Sequence, residues 1–141
     1  MFVDVKTILD AGKTPKLGYI APCFIVRDVM ASIAFYKDRL GFDVTYLGPD
    51  DGPYFAIVTR DDARLMLKVI TPDVLPTPNH TRHDWARWDA YIHTSDPDTL
   101  AKEVASRGVS FREPLGVNSD QLRGFEVMDV DGYVLYFGRP A

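Results

Sequence analysis

The chain has 141 residues, 46% hydrophobic and 26% charged, a composition typical of one soluble globular domain with a real core. Its net charge of −4, without a basic run, argues against nucleic acid and anionic membranes as partners. No apolar stretch approaches the roughly 20 residues that span a bilayer, and the single cysteine, Cys23, excludes an internal disulfide. With no secretion signal expected at the start, a cytoplasmic location is predicted.

The first half of the chain predicts a β-α-β-β-β module over residues 17–70. It follows an extension of residues 1–16, in which 4–11 can form a short helix. Asp28 is a suitable N-cap, and apolar residues recur on one helical face up to Gly41, which is placed to end the helix. Strand-like runs surround this helix at 17–26, 42–47, 54–59 and 64–70, the last two joined by a hairpin at Asp61-Asp62.

The second half repeats this pattern over residues 86–139, after a proline-rich inter-module loop of residues 71–85 that is expected over a cavity mouth. A strand-like run precedes Asp96, which caps a helix that begins with Pro97 and ends at Gly108. Strands are predicted to follow at 109–113, 122–128 and 133–138, with a hairpin turn at Asp131-Gly132.

The repetition indicates two similar modules, neither of which can bury its sheet face alone. Two half-sheets that close on each other leave a cavity, and function is expected there. His80 and His83 in the loop have a spacing that binds metals on helices, but prolines precede them and a solvated loop is expected instead.

The two repeats, each with an aspartate at the helix start, and the ending Val-Met-Asp-Val-Asp-Gly-Tyr-Val-Leu-Tyr-Phe at 127–137 resemble the vicinal-oxygen-chelate superfamily. This superfamily includes glyoxalase I, extradiol dioxygenases, fosfomycin-resistance enzymes and bleomycin-resistance proteins. The resemblance covers about residues 17–139. It implies an α+β fold of two βαβββ modules that form curled half-barrel sheets, as in the glyoxalase/bleomycin-resistance proteins, and a homodimer.

In metal-dependent members of that superfamily, four strand residues bind one divalent ion. The resemblance transfers these positions to Ala21, Met66, Asp89 and Tyr136. Only Asp89 is a good ligand for the hard ions involved, because alanine has no donor atom and methionine is soft. No metal and no cofactor are therefore expected, and a binding protein is favoured over an enzyme.

The metal-free members closest in type are bleomycin-resistance proteins, which sequester the antibiotic without altering it. The resemblance implies small-molecule capture of an aromatic or cationic compound in a cleft. Trp85, Trp88 and Tyr91 would supply stacking surface, and Asp89 and Tyr136 polar anchors. The ligand-binding residues expected overall are Asp89, Tyr136, Tyr91, Trp88, Trp85, His93, Met66 and Phe125.

Each of these residues also has a structural interpretation. Asp89 can pair with a backbone amide at the strand start, His93 can be a satisfied barrel histidine, and the two tryptophans can be core or interface residues. Arg123 can face the cavity or pair with Glu126, and Cys23 is expected to be a small buried hydrophobe.

Two alternatives to capture stay open. One is a glyoxalase-like lyase, isomerase or dioxygenase, with non-standard metal ligands such as His93, Asp89, Tyr136 and the loop histidines. A metal-free variant of this enzyme would use Asp89 and Tyr136 as acid and base. The other alternative is a structural or regulatory dimer without a small ligand.

Overall fold

The computed structural model describes residues 14–141, and the helix predicted at 4–11 lies outside the described residues. Eight strands and two main helices follow one another as two βαβββ units. The strands are β1 (Cys23–Ile25), β2 (Asp43–Gly48), β3 (Phe55–Arg60), β4 (Ala63–Lys68), β5 (Ala90–His93), β6 (Phe111–Val117), β7 (Leu122–Met128) and β8 (Val134–Pro140). Helix α1 (Val29–Ala34) continues as a π-helical turn, Phe35–Arg39, and α2 spans Pro97–Ser106.

The strands form two four-stranded mixed sheets with the same topology, in the orders β1-β4-β3-β2 and β5-β8-β7-β6. In each sheet the first strand runs parallel to the last, and the other pairs are antiparallel. Cys23 lies opposite Met66 in the first sheet, and Tyr91 lies opposite Tyr136 in the second. Neither sheet closes into a barrel, and the predicted α+β fold of two modules is confirmed.

Local capping chemistry sets the helix ends where the sequence predicts them. Asp28 accepts hydrogen bonds from the backbone N–H groups of Met30 and Ala31, and Asp96 accepts one from Thr99. Gly41 and Gly108 follow the two helices with φ of +71° and +88°, a left-handed conformation that glycine adopts without strain.

The strands differ from the predictions mainly at two places. The first strand is three residues long, because residues 14–20 are exposed and do not join the sheet. The strand predicted at 109–113 instead runs from Phe111 to Val117, and its register against β7 shifts on both sides of Glu113. Pro114 lacks the N–H that a regular ladder requires at this point.

The helix-facing sides of both sheets share one apolar core. In β3 and β4 the buried residues alternate with half-buried ones, as a sheet with one core face requires. The core combines Ala56, Val58, Leu65 and Leu67 of the first module with Phe125, Val127, Leu135 and Phe137 of the second. The modules therefore fold as one body, and the other face of each sheet is turned away from this core.

Polar side chains at the β7–β8 hairpin tie the second module to the first. The Tyr36 hydroxyl donates a 2.6 Å hydrogen bond to Asp129, which also accepts the backbone N–H groups of Asp131 and Tyr133. Asp131 accepts hydrogen bonds from the Ser32 hydroxyl and the Arg27 backbone. Burial raises the pKa of Asp129 to about 6. Asp131, which the sequence places in a hairpin turn, thus also joins the two modules, as Asp129 does.

None of the helices within residues 14–141 has the length and apolar character needed to cross a membrane.

Candidate functional site

Three aromatic side chains stack on the outer face of the second sheet, and we call Trp88, Tyr91 and Tyr136 the aromatic cluster. Tyr91 and Tyr136 meet because β5 and β8 pair in register, and their ring centroids are 5.7 Å apart at an interplanar angle of 13°. Trp88 precedes β5 and stacks on Tyr136, with centroids 4.5 Å apart. Tyr91 is 42% exposed, so the cluster offers an accessible aromatic surface.

Tyr136 lies flat in the sheet because two neighbouring positions carry no side chain. A Cβ at Gly124 would lie 2.7 Å from the Tyr136 hydroxyl, and a Cβ at Gly138 would lie 2.6 Å from its ring. The same two Cβ atoms would also clash with backbone of the paired strand. These glycines therefore make the space in which the ring of Tyr136 is held, 2% exposed, beneath Trp88.

An ion pair whose carboxylate is buried holds Trp88 in place. Glu126 of β7 is 2% exposed and accepts a 2.9 Å hydrogen bond from the indole N–H of Trp88. Its other oxygen forms a close ion pair with Arg112 of β6. Because a buried carboxylate is stable only when it is paired and hydrogen-bonded, Glu126 and Arg112 neutralise each other while fixing the orientation of the indole.

A second cation covers the outer side of the aromatic cluster. The Arg87 guanidinium lies 5.3 Å from the centroid of the Trp88 ring and forms a 2.8 Å ion pair with Asp120. Cation–π contacts of this kind favour a flat indole surface that is partly shielded from water. A shallow groove of about 280 Å³ lies beside this pair and is lined by Trp85, Ala86, Arg87, Trp88 and Asp120.

The two tyrosine hydroxyls of the cluster differ in their partners. Tyr91 donates a 3.2 Å hydrogen bond to the Gly138 carbonyl. The Tyr136 hydroxyl is buried and has no hydrogen-bond partner among residues 14–141. Burial raises the pKa of Tyr136 further above its ordinary value, with smaller contributions from Tyr91 and Glu126, so this phenol stays protonated and able to donate.

A small cavity opens beside Tyr136, and we call it the Tyr136 cavity. Its volume is about 130 Å³, and it lies where β6 departs from regular pairing with β7. Its walls are formed by Arg87, Glu113, Pro114, Gly116, Val117, Asn118, Gly124, Glu126 and Tyr136. The cavity therefore has hydrogen-bonding side chains on its walls and lies next to the stacked rings of the aromatic cluster.

Asp89, expected as the anionic anchor, has a different environment from the one that role needs. One carboxylate oxygen accepts the backbone N–H of Asn79 and the other accepts that of Val134, both at 2.8 Å. The side chain therefore fastens the inter-module loop to the start of β8, which is the structural interpretation given above. The carboxylate that contacts the aromatic cluster is instead that of Glu126, which accepts the indole N–H of Trp88.

The other four expected site residues lie in four different places. Phe125 lies in the core, where it packs against Phe111 and Phe137 and not on the face of Tyr136. Met66 is half-buried on the corresponding face of the first sheet. His93 is exposed and lines a separate cavity of about 230 Å³ between the modules. Trp85 is 88% exposed at the edge of the groove.

Three further residues have environments that differ from those expected from the sequence. Arg123 neither faces the cavity nor pairs with Glu126, because it forms a bidentate ion pair with Asp98 at 2.8 Å. Cys23 is exposed and not a buried hydrophobe. His80 is not simply solvated, since its Nε2 lies 2.8 Å from the Gly132 carbonyl.

Sequence reasoning missed Glu126, Arg112 and Asn118 as site residues. Glu126 carried a usable signal, since it occupies a strand position whose neighbours Phe125 and Val127 face the core. A lone charge on the other face of a central strand predicts a partner nearby. Arg112 and Asn118 carried no such signal, because the register shifts in β6 decide where they point.

The residues at the four transferred metal positions do not fit a divalent ion. Ala21 has no donor, Met66 offers a soft thioether, and the Tyr136 phenol is protonated. Asp89 is the only hard ligand among them, and both its oxygens already accept backbone hydrogen bonds. Within residues 14–141, no three His, Cys, Asp or Glu side chains come together as a metal site.

The chain is similar to one protein family and to several solved structures. The family model described as the Glyoxalase/Bleomycin resistance protein/Dioxygenase superfamily matches residues 16–137. A bleomycin-binding protein from bleomycin-producing Streptomyces verticillus, solved with copper(II)-bleomycin, is 28% identical, with a TM-score of 0.66. The alignment covers 91% of this chain and 100% of that one.

Two other solved structures share the fold at lower identity. TnmS3, an antibiotic-binding protein from Streptomyces sp. CB03234, is 21% identical with a TM-score of 0.65, over 91% of this chain and 100% of its own. A glyoxalase-related enzyme from Clostridium phytofermentans is 14% identical with a TM-score of 0.69, over 90% of this chain and 98% of its own. No curated protein matches the chain by sequence.

Proposed function

The chain belongs to the glyoxalase/bleomycin resistance protein/dioxygenase superfamily, and from this premise we propose that it captures a planar aromatic small molecule on the aromatic cluster. The observation that carries the proposal is the stack of Trp88, Tyr91 and Tyr136, held by Glu126 and open to solvent at Tyr91. A rigid stack of rings binds a flat ligand with little loss of side-chain entropy.

The similarity to the bleomycin-binding protein of Streptomyces verticillus supports this class of ligand. The charges around the aromatic cluster favour an aromatic ligand over a purely cationic one. Arg87 already lies over Trp88, and Arg112 already neutralises Glu126, so a second cation at these rings would meet like charge. A cationic group of the ligand is better placed away from Arg87.

Binding in this proposal is independent of metal and of cofactor. The transferred metal positions hold one hard ligand, Asp89, and both of its carboxylate oxygens already accept backbone hydrogen bonds. The metal-free enzyme alternative needed the same carboxylate as a base, and no described contact favours that role. We therefore propose stoichiometric capture without turnover, in the cytoplasm.

A homodimer completes the proposed site. The outer face of the first sheet carries half-buried Phe55, Ile57 and Met66, and Tyr46 on β2 is 52% exposed. A second copy that sets this face against the aromatic cluster would bury both surfaces and enclose the ligand. Sedimentation analysis at micromolar concentration tests this arrangement, because a monomer that still binds ligand would contradict it.

Calorimetric titration of metal-free bleomycin into the purified protein is the direct test of capture. We expect saturable binding near one site per chain, with Kd in the micromolar range or below. Trp88→Ala should weaken it by tenfold or more, because the stack loses its outer ring. Tyr54→Ala is the matched control, since Tyr54 is 50% exposed and immediately precedes β3 of the first sheet, whereas the aromatic cluster belongs to the second.

If bleomycin gives no heat, the antibiotic is excluded as a ligand, and a panel of flat aromatic compounds then tests capture itself. Absence of binding by the whole panel would overturn the proposed function.

A further inference from the structure

Two buried hydrogen-bond donors without partners line the Tyr136 cavity. Of all buried side-chain polar atoms within residues 14–141, three have no hydrogen-bond partner, and two of these are the Tyr136 hydroxyl and Asn118 Nδ2. Both residues line the same cavity of about 130 Å³. Buried polar groups in proteins are nearly always satisfied, so two unsatisfied donors in one cavity mark a place built for an external acceptor.

The orientation of the Asn118 amide follows from its other contacts. Its Oδ1 accepts the backbone N–H groups of Asp120 at 2.9 Å and Leu122 at 3.1 Å. An inverted amide would put its NH₂ group against those two N–H groups, so the atom directed elsewhere is Nδ2. Asn118 and Tyr136 therefore both offer donors.

The remaining charges exclude an anion from this place. Glu126, on the wall of the cavity, is already satisfied by Trp88 and Arg112. Arg87, the cation on the wall, is paired with Asp120. The wall therefore offers no unpaired cation to balance an oxyanion, whereas an uncharged oxygen accepts from both donors without the cost of desolvating a charge.

We propose that the Tyr136 cavity is a subsite for an uncharged hydrogen-bond acceptor, a carbonyl or amide oxygen carried at the edge of the aromatic ligand. This inference rests on the proposed function, because the ring that carries the oxygen stacks on the aromatic cluster. The size agrees with the assignment. A volume of about 130 Å³ is ample for a carboxamide.

Gly116 offers a way to fill this subsite without disturbing the fold. It lines the cavity, and a Cβ added there would meet only the Pro114 carbonyl oxygen, at 3.9 Å. Gly124, on the same wall, cannot serve, because a Cβ there would lie 2.1 Å from the Phe137 carbonyl oxygen. Gly116→Val is therefore expected to block the cavity. Tyr136→Phe removes one of the two donors without breaking a hydrogen bond, because the Tyr136 hydroxyl has no partner among the described residues.

The experiment uses three probes with the same ring system, 2-naphthamide, 2-naphthylmethylammonium and 2-naphthoate, titrated by calorimetry into the full chain. We expect the neutral amide to bind at least fivefold more tightly than the other two. Gly116→Val and Tyr136→Phe should each remove that preference. In Gly116→Val, which changes no residue of the aromatic cluster, the affinity for the ammonium probe should stay within twofold. The ammonium probe thus reports stacking, and the amide reports the subsite.

A spectroscopic readout locates the amide. The chain has two asparagines, Asn79 and Asn118, and one glutamine, Gln121, so its ¹H–¹⁵N spectrum contains three side-chain NH₂ pairs. The Asn118 pair should shift with 2-naphthamide and stay in place with the ammonium probe. Equal affinity for all three probes, or a preference that survives Gly116→Val, would overturn the subsite and leave capture standing. Binding of none of the three would overturn both.

Discussion

The Tyr36 hydroxyl, from the helix of the first module, donates to the Asp129 carboxylate, which closes strand β7 of the second, at an oxygen–oxygen distance of 2.6 Å. Tyr36 has no exposed surface and Asp129 is 6% exposed, so water cannot replace either partner. The contact therefore couples the junction of the modules to the ionisation of one carboxyl group.

The first prediction concerns pH. Burial raises the pKa of Asp129 from 3.8 to about 6, so its ionisation disfavours the folded state. Its contribution to stability is complete below pH 3.8 and is lost as pH rises through 6. Relative to Asp129→Asn, which stays neutral, the unfolding free energy of the native chain should fall by about 1–2 kcal/mol between pH 5 and 7.

Urea unfolding at several pH values measures this difference. The exposed carboxylates Asp96 and Asp98 act in the opposite sense at lower pH. Hydrogen bonds from Thr99 and Arg123 lower their pKa values, so they lose stabilisation as pH falls. Both proteins share that effect, and it cancels in the comparison. A pH-independent difference would show that Asp129 does not titrate in this range.

The second prediction isolates the hydrogen bond itself. Tyr36→Phe should destabilise the chain by about 1–3 kcal/mol, because it leaves a buried carboxylate oxygen without its donor. The loss should be larger at pH 7.5 than at pH 5, where Asp129 is protonated. Tyr54→Phe, at a half-exposed position, is the control and should change stability by less than about 0.5 kcal/mol.

The third prediction separates a structural role of Asp89 from a ligand-binding one. Asp89→Ala should cost about 1–3 kcal/mol of stability, because the backbone N–H groups of Asn79 and Val134 both lose their acceptor. Hydrogen exchange at those two amides should accelerate. Asp89→Asn retains one acceptor and should lose less. If alanine instead weakens ligand binding with no change in exchange, the carboxylate contacts ligand directly.

The fourth prediction tests the support beneath the stacked rings. Glu126→Ala removes the acceptor of the Trp88 indole N–H and the partner of the partly exposed Arg112, and should cost about 1–3 kcal/mol of stability. It should also weaken binding of an aromatic probe several-fold, because the indole of Trp88 loses its acceptor. Arg112→Ala combined with Glu126→Leu should recover stability but not affinity. Full affinity in Glu126→Ala would show that the orientation of Trp88 does not matter.

Local chemistry determines how much of this molecule can be predicted from its sequence. Asp28 and Asp96 cap helices, and Gly41 and Gly108 end them, because each acts on backbone within four residues. The site is harder to predict, since partners far apart in the chain decide it. Asp89 and Glu126 are equally plausible anions by residue type, and only tertiary contacts give one to the backbone and the other to Trp88.

The two sheets also differ in the side chains that they carry at corresponding positions. Cys23 opposite Met66, and Tyr91 opposite Tyr136, occupy corresponding positions in the two sheets, yet only the second pair builds a stacked surface. The duplicated architecture thus carries different chemistry on its two sheets. Aromatic residues placed at Cys23 and Met66 would give the first sheet the stacked pair that the second sheet already has.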